Sequence, residues 1–333
     1  MVLVLGCAGT SNKNSEEKKL TVYQGLGILA FEPRGGNEAP PGGENYLSLV
    51  VRNNAGGANA ENIVASIDNV EPFVIRDCRG DYVLPSTIRT AECVNPIFND
   101  RNLPYTQHEL TRLESGEEME MLWLIRAPTG PEITQSEYSH TIYATLAYDY
   151  KVSAGVNIVA LSQDEVTRRR TAKENYNIVG ITTNTAGDLS INTQTTTQPI
   201  IFPSTGSTSP TYYLIFNVEN VGQGLPQKKT GKPMRVTIYA PQGILVESTI
   251  AKSSDYGWTR VEPDADNTYT IINEDESLVN DVILGNTFVL PFRINEIGTL
   301  NNAGITEKTY TFFIDVEYSY IISSETRIVV KPF

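Results

Sequence analysis

Along most of the chain, apolar and polar residues alternate one by one. "TIYATLAYDY" from Thr141 and "TYTFFIDVEY" from Thr309 have this period of two and are rich in β-branched and aromatic residues. That pattern predicts strands with one buried face. "RVTIYA", "TYTII", "TFVLPFRI" and "TRIVVKPF" extend the list, with Gly, Pro, Asn and Asp between the runs. The best helical candidate is "SQDEVTRRRTAKENYN", Ser162 to Asn177, with Ser162 placed to cap it and Glu165 in its first turn. A polar connection is the preferred reading of that segment. Strands separated by turns, without a long helical period, predict an all-β chain built of antiparallel sandwiches.

The strands recur. "YLSLVVRNNAGGANAENIVASI" from Tyr46 matches "YLIFNVENVGQGL" from Tyr213, each a strand ending at Asn53 or Asn220 before a Gly turn. "HTIYATLAYDY" from His140 matches "KTYTFFIDVEYSY" from Lys308, and "SGEEMEMLWLIRAP" from Ser115 corresponds to "LGNTFVLPFRINEI" from Leu284. Three blocks in one order, each displaced by about 168 positions, signal a tandem duplication. The expected organisation is an apolar segment and polar tether over 1–18, one sandwich over 19–165 and a second over 166–333.

The strand–Asn–x–Gly turns in "LVVRNNAGGANAENIVASI" and "FNVENVGQG" resemble those of CARDB modules, the immunoglobulin-like cell-adhesion-related domains of bacteria, and the repeats of archaeal surface-layer proteins. The resemblance covers about twenty residues per repeat, and the second repeat departs from it with the insertion "QKKTGKPM". It implies two tandem antiparallel Ig-like β-sandwich domains with extracellular scaffolding or adhesion as their role, and no chemistry.

Composition narrows the partners. The 333 residues carry a net charge of −13, which opposes nucleic-acid binding and docking on anionic lipid. No run of 18 apolar residues occurs, so no transmembrane helix is expected. Two histidines and three cysteines, without suitable spacing, do not make a zinc site. No Asn-x-Ser/Thr acceptor occurs among the many Asn, Ser and Thr residues.

The cysteines carry most of the candidate chemistry. Cys78 and Cys93 bracket a loop-like segment absent from the second repeat, and a disulfide between them is expected, worth roughly 3 kcal/mol for a loop of this size. Cys7 stands apart in "VLVLGCAGTS". Read one way this is a lipobox remnant with Cys7 lipidated, although no Lys or Arg precedes it and the apolar run is short. Read the other way, Val2, Leu3, Val4 and Leu5 form a donor strand on a polar tether. "RGD" at Arg79-Gly80-Asp81 lies in the bracketed segment and is a common chance match. The acidic stretches "EPDADNTY" and "NEDES" could take calcium, though turn residues there need no metal. His108, in "YTQHEL", neighbours a carboxylate and reads as a solvated loop residue rather than a general base. No nucleophile elbow, phosphate-cradling glycine loop or HExxH helix is present, so no enzyme is expected.

The expected function is an extracellular structural protein, a subunit of a cell-surface filament, pilus or surface layer. Its partners would be copies of itself or other surface proteins, joined through β-strand addition. A membrane-anchored lipoprotein acting in binding or adhesion is the second expectation. A virion structural protein or a concealed hydrolase is the third.

Overall fold

The computed structural model describes residues 25–83, 92–94, 107–129, 137–174, 180–195, 199–204, 209–227, 234–246, 258–260, 269–273 and 277–331. Cys7, the segment Val2–Leu5 and nearly all of the two acidic stretches lie outside them.

The first repeat contributes β1 (Leu26–Pro33), β2 (Glu38–Ala39), β3 (Glu44–Asn53), β4 (Ala60–Asp68), β5 (Val74–Val83), β6 (Glu92–Val94), β7 (Gln107–Leu113), β8 (Glu118–Arg126) and β9 (Tyr138–Ser162). After α1 (Gln163–Ala172) come β10 (Gly180–Asn184), β11 (Leu189–Thr195), β12 (Ile200–Phe202), β13 (Tyr212–Asn220), β14 (Leu225–Gln227), β15 (Arg235–Ala240), β16 (Ile244–Val246), β17 (Trp258–Arg260) and β18 (Tyr269–Asn273). The chain ends with α2 (Leu278–Leu284), β19 (Thr287–Ile294), α3 (Ile297–Asn302) and β20 (Glu307–Val330).

These strands form three sheets. Two have four strands each, ordered β1-β3-β8-β5 and β11-β13-β19-β16. The same order built from corresponding strands is the duplication made visible. The third, central sheet has twelve strands along the path β17-β18-β15-β20-β9-β4-β7-β6, with short strands attached to β9 and β20. The chain is all-β, and each four-stranded sheet closes a sandwich against part of the central one. His108 of β7 contacts Trp123 of β8 in the first, and Phe292 of β19 contacts Phe312 of β20 in the second.

The central sheet is organised by β9 and β20, of 25 and 24 residues. They pair antiparallel from Tyr138↔Val330 to Glu307↔Leu161 without a break. At about 3.4 Å per residue the pair is roughly 80 Å long, enough to run through both sandwiches. Even-numbered residues such as Leu146, Val156, Phe312 and Ile314 are fully buried, while Tyr143 and Phe313 stand on the opposite, exposed face. The sequence alternation is thus an inside–outside alternation.

Each repeat also extends into the other. β2 of the first repeat pairs in parallel with the end of β20, through Ala39↔Val330. β12 of the second pairs in parallel with the end of β9, through Phe202↔Ser162. The two contacts correspond to one another, so the halves are related by a pseudo-two-fold axis. Tyr150 and Tyr318, counterparts in the duplication, lie directly opposite each other at that axis.

Three sequence expectations are corrected. The polar connection is a helix: the Ser162 hydroxyl accepts from the Glu165 amide, and Glu165 pairs with Arg168 and Arg169 one turn on. The bracketed segment is not all loop, because Cys78 to Val83 belong to β5 and Arg79-Gly80-Asp81 pair with Leu122, Met121 and Glu120. The block match at Ser115 and Leu284 is displaced by two residues. Trp123 pairs with Leu47 as Leu290 pairs with Leu214, so Leu290, not Phe292, is the counterpart of Trp123. A two-residue slip keeps every side chain on its own face, and a period-two pattern cannot detect it.

Candidate functional site

Where β9 and β20 pass the pseudo-two-fold axis, the interior is polar. Asn53 ends β3 with no solvent exposure. Its amide donates to the carbonyls of Ala58 and Leu113, and its Oδ1 accepts from the Ala55 N–H and the Tyr150 hydroxyl. Asn220 does the same work at the end of β13. It donates to Gly224 and accepts from the Gly222 N–H and, at 2.6 Å, from the Tyr320 hydroxyl. The repeated strand–Asn–Gly turn is therefore an asparagine, fully buried in the first repeat and half-buried in the second, that satisfies a turn's backbone groups and is held by a central-strand tyrosine. The partner differs between repeats: Tyr150 in the first, Tyr320 in the second.

Asp188 lies between these turns, 2 % exposed. The Tyr148 hydroxyl is 2.8 Å from its Oδ2 and also 3.3 Å from the Leu26 carbonyl. The Asp188 N–H donates to Tyr318 Oη, and its carbonyl accepts from Val221 and Gly222. Burial pushes the Asp188 carboxyl up from 3.8 to about 7. Burial first, and the nearby carboxyl second, hold Tyr148 and Tyr318 well above the ordinary phenol value. Leu26 pairs with Asn53 as Leu189 pairs with Asn220, so Gly25 is the counterpart of Asp188. A Cβ on Gly25 would lie 2.3 Å from Asp188 Oδ1. One repeat supplies the carboxyl, and the other supplies the space for it.

On the outer side of the same crossing is an open cleft of about 640 Å³. Asp149 there accepts from Asn62 at 2.8 Å and from Ser319 at 2.6 Å. Lys151 Nζ sits 2.7 Å from Asp315 and 3.9 Å from Glu317. The hydrogen bond to Asp315 raises the Lys151 pKa and keeps it cationic. The cleft thus carries charges of both signs, with Lys151 paired to Asp315, which suits recognition of a polar surface. Among the described residues that line it, the hydrogen bonds and ion pairs set no nucleophile beside a base.

The remaining sequence candidates are scattered. His108 is not a solvated loop residue but is fully buried in β7, its Nε2–H donating to the Leu122 carbonyl at 3.2 Å. Its ring meets Trp123 edge-on at 4.6 Å. Burial lowers its pKa to about 4, so it is neutral. Cys78 lies buried in β5 and is one half of a disulfide. Cys93 lies on β6, across the sandwich from β5 and in contact with it as a strand. Among the described residues no cluster of three or more His, Cys, Asp or Glu could hold a metal. Asp188 was missed by sequence reasoning; "TAGDLS" carries only the turn character of Gly187 and Asp188.

No family model matches the chain, and no curated protein does. Solved structures give faint likenesses. The Enterococcus faecalis MSCRAMM ACE, which binds its ligands by the collagen Hug model, is 10% identical, with 92% of this chain and 95% of that one covered, at a TM-score of 0.17. The BSP domain of a biofilm-associated protein is 10% identical over 82% of this chain and 49% of that one, at 0.20. The C-terminal domain of the Streptococcus agalactiae polypeptide BspA is 8% identical over 92% and 97%, at 0.18. At such scores the likeness carries no argument for this chain.

Proposed function

We propose that the chain is an extracellular, non-enzymatic structural protein, a subunit of a cell-surface filament, pilus or surface layer that assembles through β-strand addition. The observation that supports this is the exchange of strands between the repeats, β2 onto β20 and β12 onto β9. The fold completes its sheets with strands from a neighbouring unit, and the same operation between chains builds a polymer. The units of exchange are taken as 19–165 and 166–333, and the donor as Val2–Leu5 on its tether. Among the described residues, β20 has no second neighbour between β14, which ends its pairing at Ile321, and β2, which begins at Val329. That edge is the proposed acceptor.

The disulfide at Cys78 favours an oxidising compartment outside the cell; Cys93 is its proposed partner. His108, sealed in the core and neutral, is itself not placed to act as a general base. The open mixed-charge cleft favours the second reading, a lipid-anchored binding or adhesion module held by Cys7.

Deletion of residues 1–18 tests the assembly. The truncated chain is expected to remain a folded monomer by sedimentation and circular dichroism while polymers vanish from electron micrographs. Unimpaired polymers would refute strand donation. A diacylglyceryl mass on Cys7 of the native protein would favour the anchor instead.

A further inference from the structure

The hydroxyl of Tyr148 faces two acceptors, Asp188 Oδ2 of the second repeat at 2.8 Å and the Leu26 carbonyl of β1 at 3.3 Å. A phenol has one hydrogen and can serve only one of them at a time. We propose that the proton on Asp188 decides which acceptor Tyr148 serves, making this triad a pH-operated latch between the second repeat and the first strand of the first.

With the carboxyl protonated, its O–H donates to Tyr148 Oη and frees the phenol hydrogen for the Leu26 carbonyl. A relay then runs from Asp188 through Tyr148 to β1. With the carboxyl ionised, its proton lost to solvent, the phenol hydrogen must turn to the carboxylate. The Leu26 carbonyl then loses that donor, and a buried negative charge faces the bare backbone at Gly25. The groups around Asp188 do not blunt the effect. Tyr148 and Tyr150 on β9 and Tyr318 and Tyr320 on β20 are all held neutral, their pKa values raised first by burial. Asn53 and Asn220 are uncharged, and among the described residues no Lys, Arg or His contributes to the titration of Asp188. The transition therefore falls near neutral pH, where the carboxyl is pushed to about 7.

The duplication strengthens the case. A symmetric pair would set two carboxyls or two glycines at the axis; Gly25 opposite Asp188 leaves one titrating group and a cavity shaped for it. The latch stands apart from the assembly reading, since it concerns contacts within one chain.

Two measurements on the full chain test it. The first is the ¹³C titration of the Asp188 carboxyl, expected to have its midpoint near 7; a midpoint below about 5, the range of free carboxyls, overturns the latch. The second is amide hydrogen exchange in β1, corrected for intrinsic pH dependence, in the native chain and in Asp188→Asn. The side-chain amide introduced by this substitution donates permanently to Tyr148 and imitates the protonated state. Above pH 8 the native β1 amides should exchange roughly two- to tenfold faster than those of the variant, the equivalent of one hydrogen bond, with no difference at pH 5. Equal exchange at both pH values overturns the proposal. Should Asp188→Asn fail to fold, Tyr148→Phe gives the same comparison. It breaks the relay, so the pH step in β1 exchange should vanish, and a step that persists overturns the proposal.

Discussion

Gly224 lies four residues after Asn220, and Gly57 lies four after Asn53, so the two occupy the same place in the repeated turn. Their surroundings differ sharply. A Cβ on Gly224 would stand 1.8 Å from the backbone oxygen of Ile321 in β20 and 2.6 Å from the Ile322 side chain. A carbonyl in the middle of the longest strand pair cannot step aside, so Gly224→Ala must move the turn. Moving it pulls Leu225, Pro226 and Gln227 away from β20. It also strains the bonds from the Gly224 N–H to Tyr320 Oη, 3.1 Å, and from Asn220 to the Gly224 carbonyl, 2.8 Å. Overpacking costs about 1–3 kcal/mol and each of the two hydrogen bonds, if lost, about 0.5–1.5, which together make roughly 2–6 kcal/mol. Gly57→Ala meets nothing within 4 Å and bears only the penalty of φ +92°, about 1 kcal/mol. Urea unfolding followed by circular dichroism measures both. Because β9 and β20 thread both sandwiches, each protein should unfold in a single transition. Equal losses in the two variants, or a loss below about 1 kcal/mol for Gly224→Ala, would refute the claim that β20 fixes the second turn.

Asn53→Ala should cost about 3–5 kcal/mol, because it removes the buried amide that donates to the Ala58 and Leu113 carbonyls and the oxygen that accepts from the Ala55 N–H, and leaves the Tyr150 hydroxyl only its longer bond to the Ala58 carbonyl; the shift in urea midpoint checks it. Asn220→Ala should cost less, since Asn220 is only part-buried and its amide serves the single carbonyl of Gly224. His108 titrates near 4 in the fold against an ordinary 6.5. The unfolded chain therefore takes up the proton first as pH falls, so this contribution is complete above pH 6.5 and disappears towards pH 4. The loss is at most about 3 kcal/mol. His108→Gln, measured between pH 4 and 7, should lose that acid sensitivity; an unchanged profile would contradict it. Asp188 acts with the opposite sign, adding stability at acid pH that is lost as pH rises towards 7, so the two titrations must be separated by variants.

The alternation of Thr141 to Tyr150 and of Thr309 to Tyr318 revealed strands, and their recurrence revealed the duplication, because period and repetition are local properties. That these two segments pair with each other was hidden, since antiparallel register is fixed by tertiary packing rather than by either sequence alone. His108 looked like a loop residue because Gln107 and Glu109 flank it; in a strand those neighbours face the other way, and only His108 enters the core. Asp188 sits in a segment that reads as an ordinary turn. Its burial depends on Gly25, which is distant along the chain.

The pseudo-two-fold axis through Tyr150 and Tyr318 is that of an isologous dimer. With each half lending a strand to the other, the molecule has the geometry of a swapped homodimer whose subunits have been joined through α1. The fusion changes the thermodynamics of closure. Two separate repeats would have to find each other at their bulk concentration, whereas tethered repeats meet at an effective concentration of order millimolar. Closure of this sheet is therefore independent of dilution.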